Sequence, residues 1–223
     1  GSAMGAAVEG WSREKIKQAH GFLQDLLPYR HYASYTDWTR PPGTTEDGIE
    51  RQKLMATAII EKRGRIRADD LVSVWLRDLR PEKMLYKQER FDQSLLELAK
   101  AGVPPSELGR LWPFPNVISM ARASHPLGLI NAGDPRAAAD DSFEVGKVYA
   151  PETAFALRWA ALYNAAIAEA CKPGAAVESV LATAREFVPY RAQAGSLYAG
   201  YDTIEKEVAR ALELARRHTD PMA

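Results

Sequence analysis

The chain has 223 residues, of which 46% are hydrophobic and 26% are charged. This is the composition of a folded globular protein of about one domain, and it excludes an intrinsically disordered chain. The 29 basic and 29 acidic residues cancel, so no net field draws the protein to nucleic acid or to an anionic membrane.

Apolar residues recur at helical spacing along the whole chain, and no stretch alternates as a strand would. Proline and glycine mark the connections. We therefore predict an all-α fold, a single orthogonal, bundle-like domain of about ten helices over residues 1–223. The predicted helices lie at 1–8, 13–27, 45–63, 68–79, 82–100, 134 onward, 154–170, 175–188 and 203–217. The Ala-rich helix at 154–170 is apolar nearly all round, which predicts a buried central helix.

Hydroxyl and carboxylate side chains are crowded just before the helix predicted at 45–63. The run is Gly43-Thr44-Thr45-Glu46-Asp47-Gly48, and it follows Pro41-Pro42. Oxygen ligands packed this closely suit a hard cation such as Mg²⁺. The same residues fit a helix start, with Thr44 as cap and Asp47 as its capping-box partner, and the local pattern alone favours that interpretation.

An aromatic-rich connection at 29–38 precedes this run. Such a loop can cover a ligand or stack on a base, and it can equally pad the core. We name Tyr35 and Trp38 as candidate substrate-binding residues and leave the packing alternative open. The four histidines share no metal-type spacing; we name His125 as a candidate ligand contact, with a structural role as the alternative.

Two further predictions concern single polar groups. Asp140 and Asp141 are neighbours on one predicted helix and point about 100° apart, so we predict two surface residues and not a paired site. Cys171 is the only cysteine, which excludes an intrachain disulfide and predicts a reducing, cytoplasmic location. Its apolar helical context predicts a buried, inert thiol.

We predict no membrane span, since no apolar run reaches about eighteen residues, and nothing resembles a signal peptide.

Three stretches together resemble the ADP-ribosylglycohydrolase family, of the dinitrogenase-reductase-activating glycohydrolase or crystallin J1 kind. Gly43-Thr44-Thr45-Glu46-Asp47 is similar to the family's Thr-Asp-Asp metal motif. Residues 1–8 resemble its small-residue first helix, and Val8-Glu9-Gly10-Trp11 resembles the end of its first loop. The stretch 120–129 is similar to its Met-Arg-x-x-Pro-x-Gly segment, with extra residues between Met120 and Pro126.

This resemblance implies an all-α enzyme that holds Mg²⁺, with Mn²⁺ as the alternative, and hydrolyses glycosidic bonds at the anomeric carbon of ADP-ribose. By position, Thr45, Glu46 and Asp47 would hold metal, although Glu46 is one methylene longer than the commoner Asp. Glu9 and Asp47 would be the catalytic residues, with Glu9 as a base or a water-positioning group. The implied partner is a small-molecule or ADP-ribosylated substrate, without nucleic acid or membrane.

Three family features are missing from the sequence. They are a Gly-Asp-Ala-x-Gly loop before Glu9, a His near 148–151 and an Asp-x-Asp-Thr second metal motif. The nearest counterpart of that motif is Asp202-Thr203, which equally fits a helix cap. The resemblance corresponds to the front part of a usual family domain, one shortened at its C-terminal end. A relative that kept the scaffold, lost the chemistry and binds a ligand or a protein is therefore the alternative hypothesis.

Overall fold

The computed structural model describes residues 1–30, 39–45, 47–79, 90–113, 119–191 and 199–218, with the backbone alone at Asp47, 90–92 and 199–203. The described residues form α-helices, two 3₁₀ turns (Ala6–Val8 and Pro105–Arg110) and one two-residue antiparallel pair, β1 (Tyr29–Arg30) with β2 (Thr39–Arg40). The all-α prediction is confirmed. The helices are α1 (Ser2–Gly5), α2 (Arg13–His20), α3 (Asp47–Lys62), α4 (Ala68–Asp78), α5 (Arg90–Lys100), α6 (Ser119–Ala123), α7 (His125–Ile130), α8 (Pro135–Gly146), α9 (Phe155–Ala170), α10 (Val177–Phe187) and α11 (Ala199–Arg217).

Helix α9 is the centre of the fold, as its composition predicts. Helices α6, α7, α8, α10 and α11 all pack against it. Half of its buried residues are alanines, and short side chains let neighbouring helices approach closely. Gly146 of α8 lies so near that a Cβ there would sit 2.7 Å from Leu157 Cδ2. The small residues of this helix therefore set how tightly its neighbours pack.

Helix α7 makes an equally close approach to α9 at Gly128. A Cβ at this position would lie 2.7 Å from the Cβ of Ile167 and 3.1 Å from the backbone oxygen of Asn164. Real side chains do not pack at such distances, so this crossing requires glycine. The glycine of the Met-Arg-x-x-Pro-x-Gly-like segment thus has a packing role.

The α3–α4 side of the molecule packs into the same hydrophobic core as α9. Leu71, Val74 and Trp75 recur at helical spacing and form an apolar stripe on α4, and all three are buried. Trp75 meets Tyr149 edge to face, with ring centroids 5.3 Å apart. Because α3 packs on α4, α6 and α7, its direction is fixed relative to the rest of the bundle.

The surface prediction is wrong for Asp141, whose side chain is buried. Arg65, in the connection between α3 and α4, donates from Nε and Nη2 to the two carboxylate oxygens at 2.8 and 2.6 Å. Asn131 donates to Oδ2 at 2.7 Å. Asp140, by contrast, is half-exposed, and its carboxylate accepts a hydrogen bond from Arg191 at 2.7 Å. The carboxylate of Asp141 can be buried because three donors satisfy it.

Several other predicted boundaries shift. Helix α2 ends at His20, because Gly21 adopts a left-handed φ of 66°. The predicted helix at 82–100 is described from Arg90 onward. Helix α11 begins at Ala199, so Asp202-Thr203 lies inside the helix and is not its cap. Cys171 is exposed, contrary to the buried thiol predicted, because it follows the last turn of α9 and leaves the core there.

None of the helices in the described ranges is both long and apolar enough to span a membrane.

Candidate active site

A tight turn delivers the chain to the start of α3. The backbone N–H of Thr44 donates to the carbonyl of Pro41 at 3.3 Å, and the Thr44 hydroxyl donates to the same oxygen at 2.9 Å. Gly43, at the third position of the turn, has a φ of 84°. Proline followed by a left-handed glycine is the pattern of a type II turn. The turn ends immediately before Thr45.

Helix α3 begins at Asp47, two residues later than the sequence pattern predicts. Thr44 therefore lies three residues before the helix and is not its N-cap, so the capping interpretation is wrong. Its hydroxyl closes the turn instead. Thr45 is half-buried between the turn and the helix. Glu46 lies outside the described residues, and Asp47 is described by its backbone alone. A carboxylate at the first helical position is favoured by the helix dipole.

The first turns of α3 lie against the Met120–Leu129 segment. A Cβ on Gly48 would be 3.8 Å from the Cβ of Arg122. One turn further along α3, Gln52 Nε2 donates to the backbone oxygen of Arg122 at 2.8 Å and lies 2.9 Å from His125 Nδ1. The structure thus brings two of the three family-like stretches side by side.

A chain of hydrogen bonds runs from Gln52 through His125 to Tyr163 of α9. An amide nitrogen only donates, so His125 Nδ1 accepts, and the ring hydrogen belongs on Nε2. Nε2 lies 2.9 Å from the Tyr163 hydroxyl oxygen, and the two rings meet edge to face with centroids 4.9 Å apart. Because the hydroxyl oxygen accepts from His125, its own hydrogen is left to point elsewhere.

Beside this chain lies an open groove of about 380 Å³. Phe155, Trp159 and Tyr163 line one wall at four-residue intervals along α9, and the other wall carries Ala121, Arg122 and His125. A small-molecule site typically has this volume and this mix of apolar surface with a few polar groups. Sequence reasoning missed the three aromatic residues. Their spacing on an otherwise Ala-rich helix was the available signal.

The remaining candidate residues are less completely described. Glu9 is half-buried and follows the 3₁₀ turn at Ala6–Val8, which packs against β1. Since β1 pairs with β2, and β2 leads into the turn at Thr44, these elements connect the Glu9 segment to the start of α3. Tyr35 and Trp38 lie outside the described residues. Within the described ranges, no three His, Cys, Asp or Glu side chains are close enough to share a metal ion.

The ADP-ribosylglycohydrolase family model matches residues 1–223. The chain belongs to the ADP-ribosylglycohydrolase family. This confirms the resemblance carried by the three stretches, and it relates the protein to glycohydrolases of the ADP-ribosyl type. Searches of the curated proteins and of the solved structures gave no match.

The donor set at the start of α3 fits the metal that this family implies. Thr45, Glu46 and Asp47 supply one hydroxyl and two carboxylates on consecutive residues. Mg²⁺ takes oxygen ligands and is typically held by one or two carboxylates. Because Thr44 closes the preceding turn, Thr45 and the backbone of Asp47 lie directly at the helix start.

Proposed function

We propose that this protein is a Mg²⁺-dependent glycohydrolase that cleaves an N- or O-glycosidic bond of an ADP-ribosyl or nucleoside-like substrate. Family membership supports the reaction class. One structural observation supports the location of the site. Gln52 ties the helix that begins at Asp47 to Arg122 and His125, directly beside a ligand-sized groove.

In this proposal Thr45, Glu46 and Asp47 hold the ion. When bound, Mg²⁺ would acidify a water molecule and orient it toward the anomeric carbon. Glu9 would accept a proton from that water or position it, which is the usual work of a carboxylate base. The glycosidic C–N or C–O bond would break, the hydroxyl group of the water would end on the anomeric carbon, and its other proton would end on the leaving nitrogen or oxygen. The groove would hold the rest of the substrate and so orient the bond to be cleaved.

The test is a calorimetric titration of Mg²⁺, then Mn²⁺, into chelator-stripped protein, for the wild type and for Asp47→Asn. We expect saturable binding in the wild type and its loss in the variant. Asp69→Asn is the matched control, because Asp69 is an exposed carboxylate in the first turn of α4. Hydrolysis of ADP-ribosylated compounds is then followed with the same proteins, and unchanged hydrolysis by Asp47→Asn would overturn the proposal.

A second candidate function is ligand binding without hydrolysis. Tyr149 lies in the stretch where the family often has a His, but here this side chain is buried against Trp75 and belongs to the core. Binding of ADP-ribose without turnover of any ADP-ribosylated compound, with either cation present, would favour this candidate.

A further inference from the structure

A second groove, of about 410 Å³, lies between the end of α10 and the second half of α11. We call it the α10–α11 groove. One wall is a single face of α11, whose lining residues recur at helical spacing. They are Glu205, Val208, Ala209, Leu212 and Arg216. None of the residues that line this groove also lines the groove beside His125, so the two are separate features of the surface.

Helix α11 is anchored at its start and uncovered over the rest of its length. Ile204 is fully buried, and Val208 packs against the core. From Ala209 to Arg217 every residue is exposed except Leu212, which is half-buried. An amphipathic helix of a globular protein normally turns its apolar stripe toward a packed neighbour. The second half of this stripe instead faces the open α10–α11 groove.

Opposite charges stand at the two ends of the uncovered face. Glu205 and Arg216 are three helical turns apart, about 16 Å along the axis, and therefore point the same way. Neither forms an ion pair with another residue of the described chain, whereas the nearby Glu213 and Arg217 pair with each other. Arg185 adds a second positive charge from the α10 wall. The face thus reads acidic, apolar, basic along the direction of the chain.

This order of charges fits a second copy of the same face in one orientation. If two such faces ran parallel, Glu205 would oppose Glu205 and Arg216 would oppose Arg216, which is unfavourable. In the antiparallel orientation each Glu205 meets an Arg216, and the small Ala209 meets the larger Leu212. A two-fold axis midway between Ala209 and Leu212 produces all of these contacts twice, as in an isologous dimer.

We propose that α11 pairs antiparallel with α11 of a second copy of this chain and so forms a symmetric homodimer. Each α11 would lie in the α10–α11 groove of the other copy, giving a four-helix arrangement at the interface. The apolar residues would supply the contact area, and the two Glu205–Arg216 pairs would set the orientation. Because one helical face and a groove edge form a small interface, we expect a reversible dimer with a micromolar dissociation constant.

The experiment is sedimentation velocity on the full chain from about 1 to 100 µM, the range in which small interfaces dissociate. We expect the wild type to form more dimer as its concentration rises. Glu205→Arg turns both attractive pairs into repulsive ones, and so does Arg216→Glu. Each change should weaken the dimer by about tenfold or more. An equimolar mixture of the two variants restores both pairs, so it should form a heterodimer about as strong as the wild-type dimer.

Glu207→Arg and Arg210→Glu are the matched controls, because both residues are exposed on α11 and neither lines the groove. The proposal is overturned if the wild type stays monomeric throughout, which would leave the groove to a different partner. It is also overturned if the groove variants dimerise as well as the controls, or if the mixture dimerises no better than its components.

Thermal melting is recorded for every variant to separate loss of folding from loss of pairing. If a single variant does not fold, the double variant Glu205→Arg with Arg216→Glu takes its place, since it keeps the net charge and restores both pairs in reverse. The double variant should dimerise like the wild type, and a folded but monomeric double variant would overturn the proposal.

Discussion

The side-chain amide of Gln52 on α3 donates a hydrogen bond to Nδ1 of His125 at the start of α7, over 2.9 Å. The same nitrogen also donates to the backbone oxygen of Arg122 at 2.8 Å. These two bonds join segments that are about seventy residues apart in the sequence. One side chain therefore holds the candidate metal helix against one wall of the groove.

Replacing Gln52 by Met should break this connection while keeping the length of the side chain. Two net hydrogen bonds are lost, so we expect the free energy of unfolding to fall by about 2 kcal/mol. The measurement is urea unfolding at neutral pH. Gln18→Met, at an exposed position on α2, is the control and should change stability by less than about 0.5 kcal/mol. Equal effects of the two changes would contradict the role given to Gln52.

Gly128→Ala tests the close crossing of α7 over α9. The added methyl group would meet Ile167 and the backbone of Asn164, so a shift of α7 is required. We expect a loss of about 1 to 3 kcal/mol in stability. Because His125 lies one turn earlier on α7, the same shift should disturb its bond to Tyr163 and weaken ADP-ribose binding.

Gly64→Ala is the matched control for that experiment, since a Cβ at Gly64 meets no heavy atom within 4 Å. The two variants are compared by thermal melting. If Gly128→Ala melts no lower than Gly64→Ala, the crossing tolerates a side chain and the proposed constraint is wrong.

Arg65→Met should leave the buried carboxylate of Asp141 with Asn131 as its one side-chain donor among the described residues. The Asp141 side chain is buried but the Arg65 side chain is 53% exposed, so solvent screens part of the interaction. We expect a loss of about 2 kcal/mol, between the values of exposed and buried ion pairs. Arg110→Met is the comparison, because Arg110 forms an exposed pair with Glu107 at 3.0 Å and should contribute less than about 1 kcal/mol. Denaturant unfolding gives both values, and similar losses would show that the burial of Asp141 has no energetic consequence.

Stability should fall in acid partly through Glu144 of α8. A hydrogen bond from Lys147 is the main cause that holds the pKa of Glu144 below its ordinary value, and Arg67 adds to it. The folded-state pKa is therefore lower than the unfolded one. The stabilisation is present above the ordinary pKa of a glutamate, about 4.3, and is lost as the pH falls through the lowered folded value.

Glu144→Gln removes the titrating group and is the test of this pH dependence. Between about pH 5 and pH 3, the melting temperature of the variant should decline less steeply than that of the wild type. Glu178→Gln on α10 serves as control, because Glu178 is exposed. Parallel declines for wild type and Glu144→Gln would contradict the prediction.

Helical periodicity predicted those parts of the fold whose burial is decided within one helix. The stripe on α4 and the central position of α9 are examples, since each follows from the spacing and size of its own residues. The burial of Asp141 was not predictable in this way, because its partner Arg65 is 76 residues away in the sequence.

The candidate site was predictable only in part for a similar reason. The run before α3 stood out because chemically similar side chains are adjacent in the sequence. The aromatic residues of α9 did not stand out, because a four-residue spacing is the same whether the rings face a core or a groove. They are Phe155, Trp159 and Tyr163. The partnership of Gln52 with His125 depends on how two helices cross, which no local pattern contains.

Helix α9 serves both the core and the groove, and this has a consequence for how the protein adapts to ligands. Its backbone amides should be among the slowest in the described chain to exchange with deuterium. Packed neighbours surround the helix, so these amides exchange only on global unfolding. The rings of Phe155, Trp159 and Tyr163 therefore project from a rigid helix. The facing wall belongs to α6 and α7, helices of 5 and 6 residues, whose local opening needs much less free energy. A bound ligand should consequently slow exchange in α6 and α7 and leave α9 unchanged.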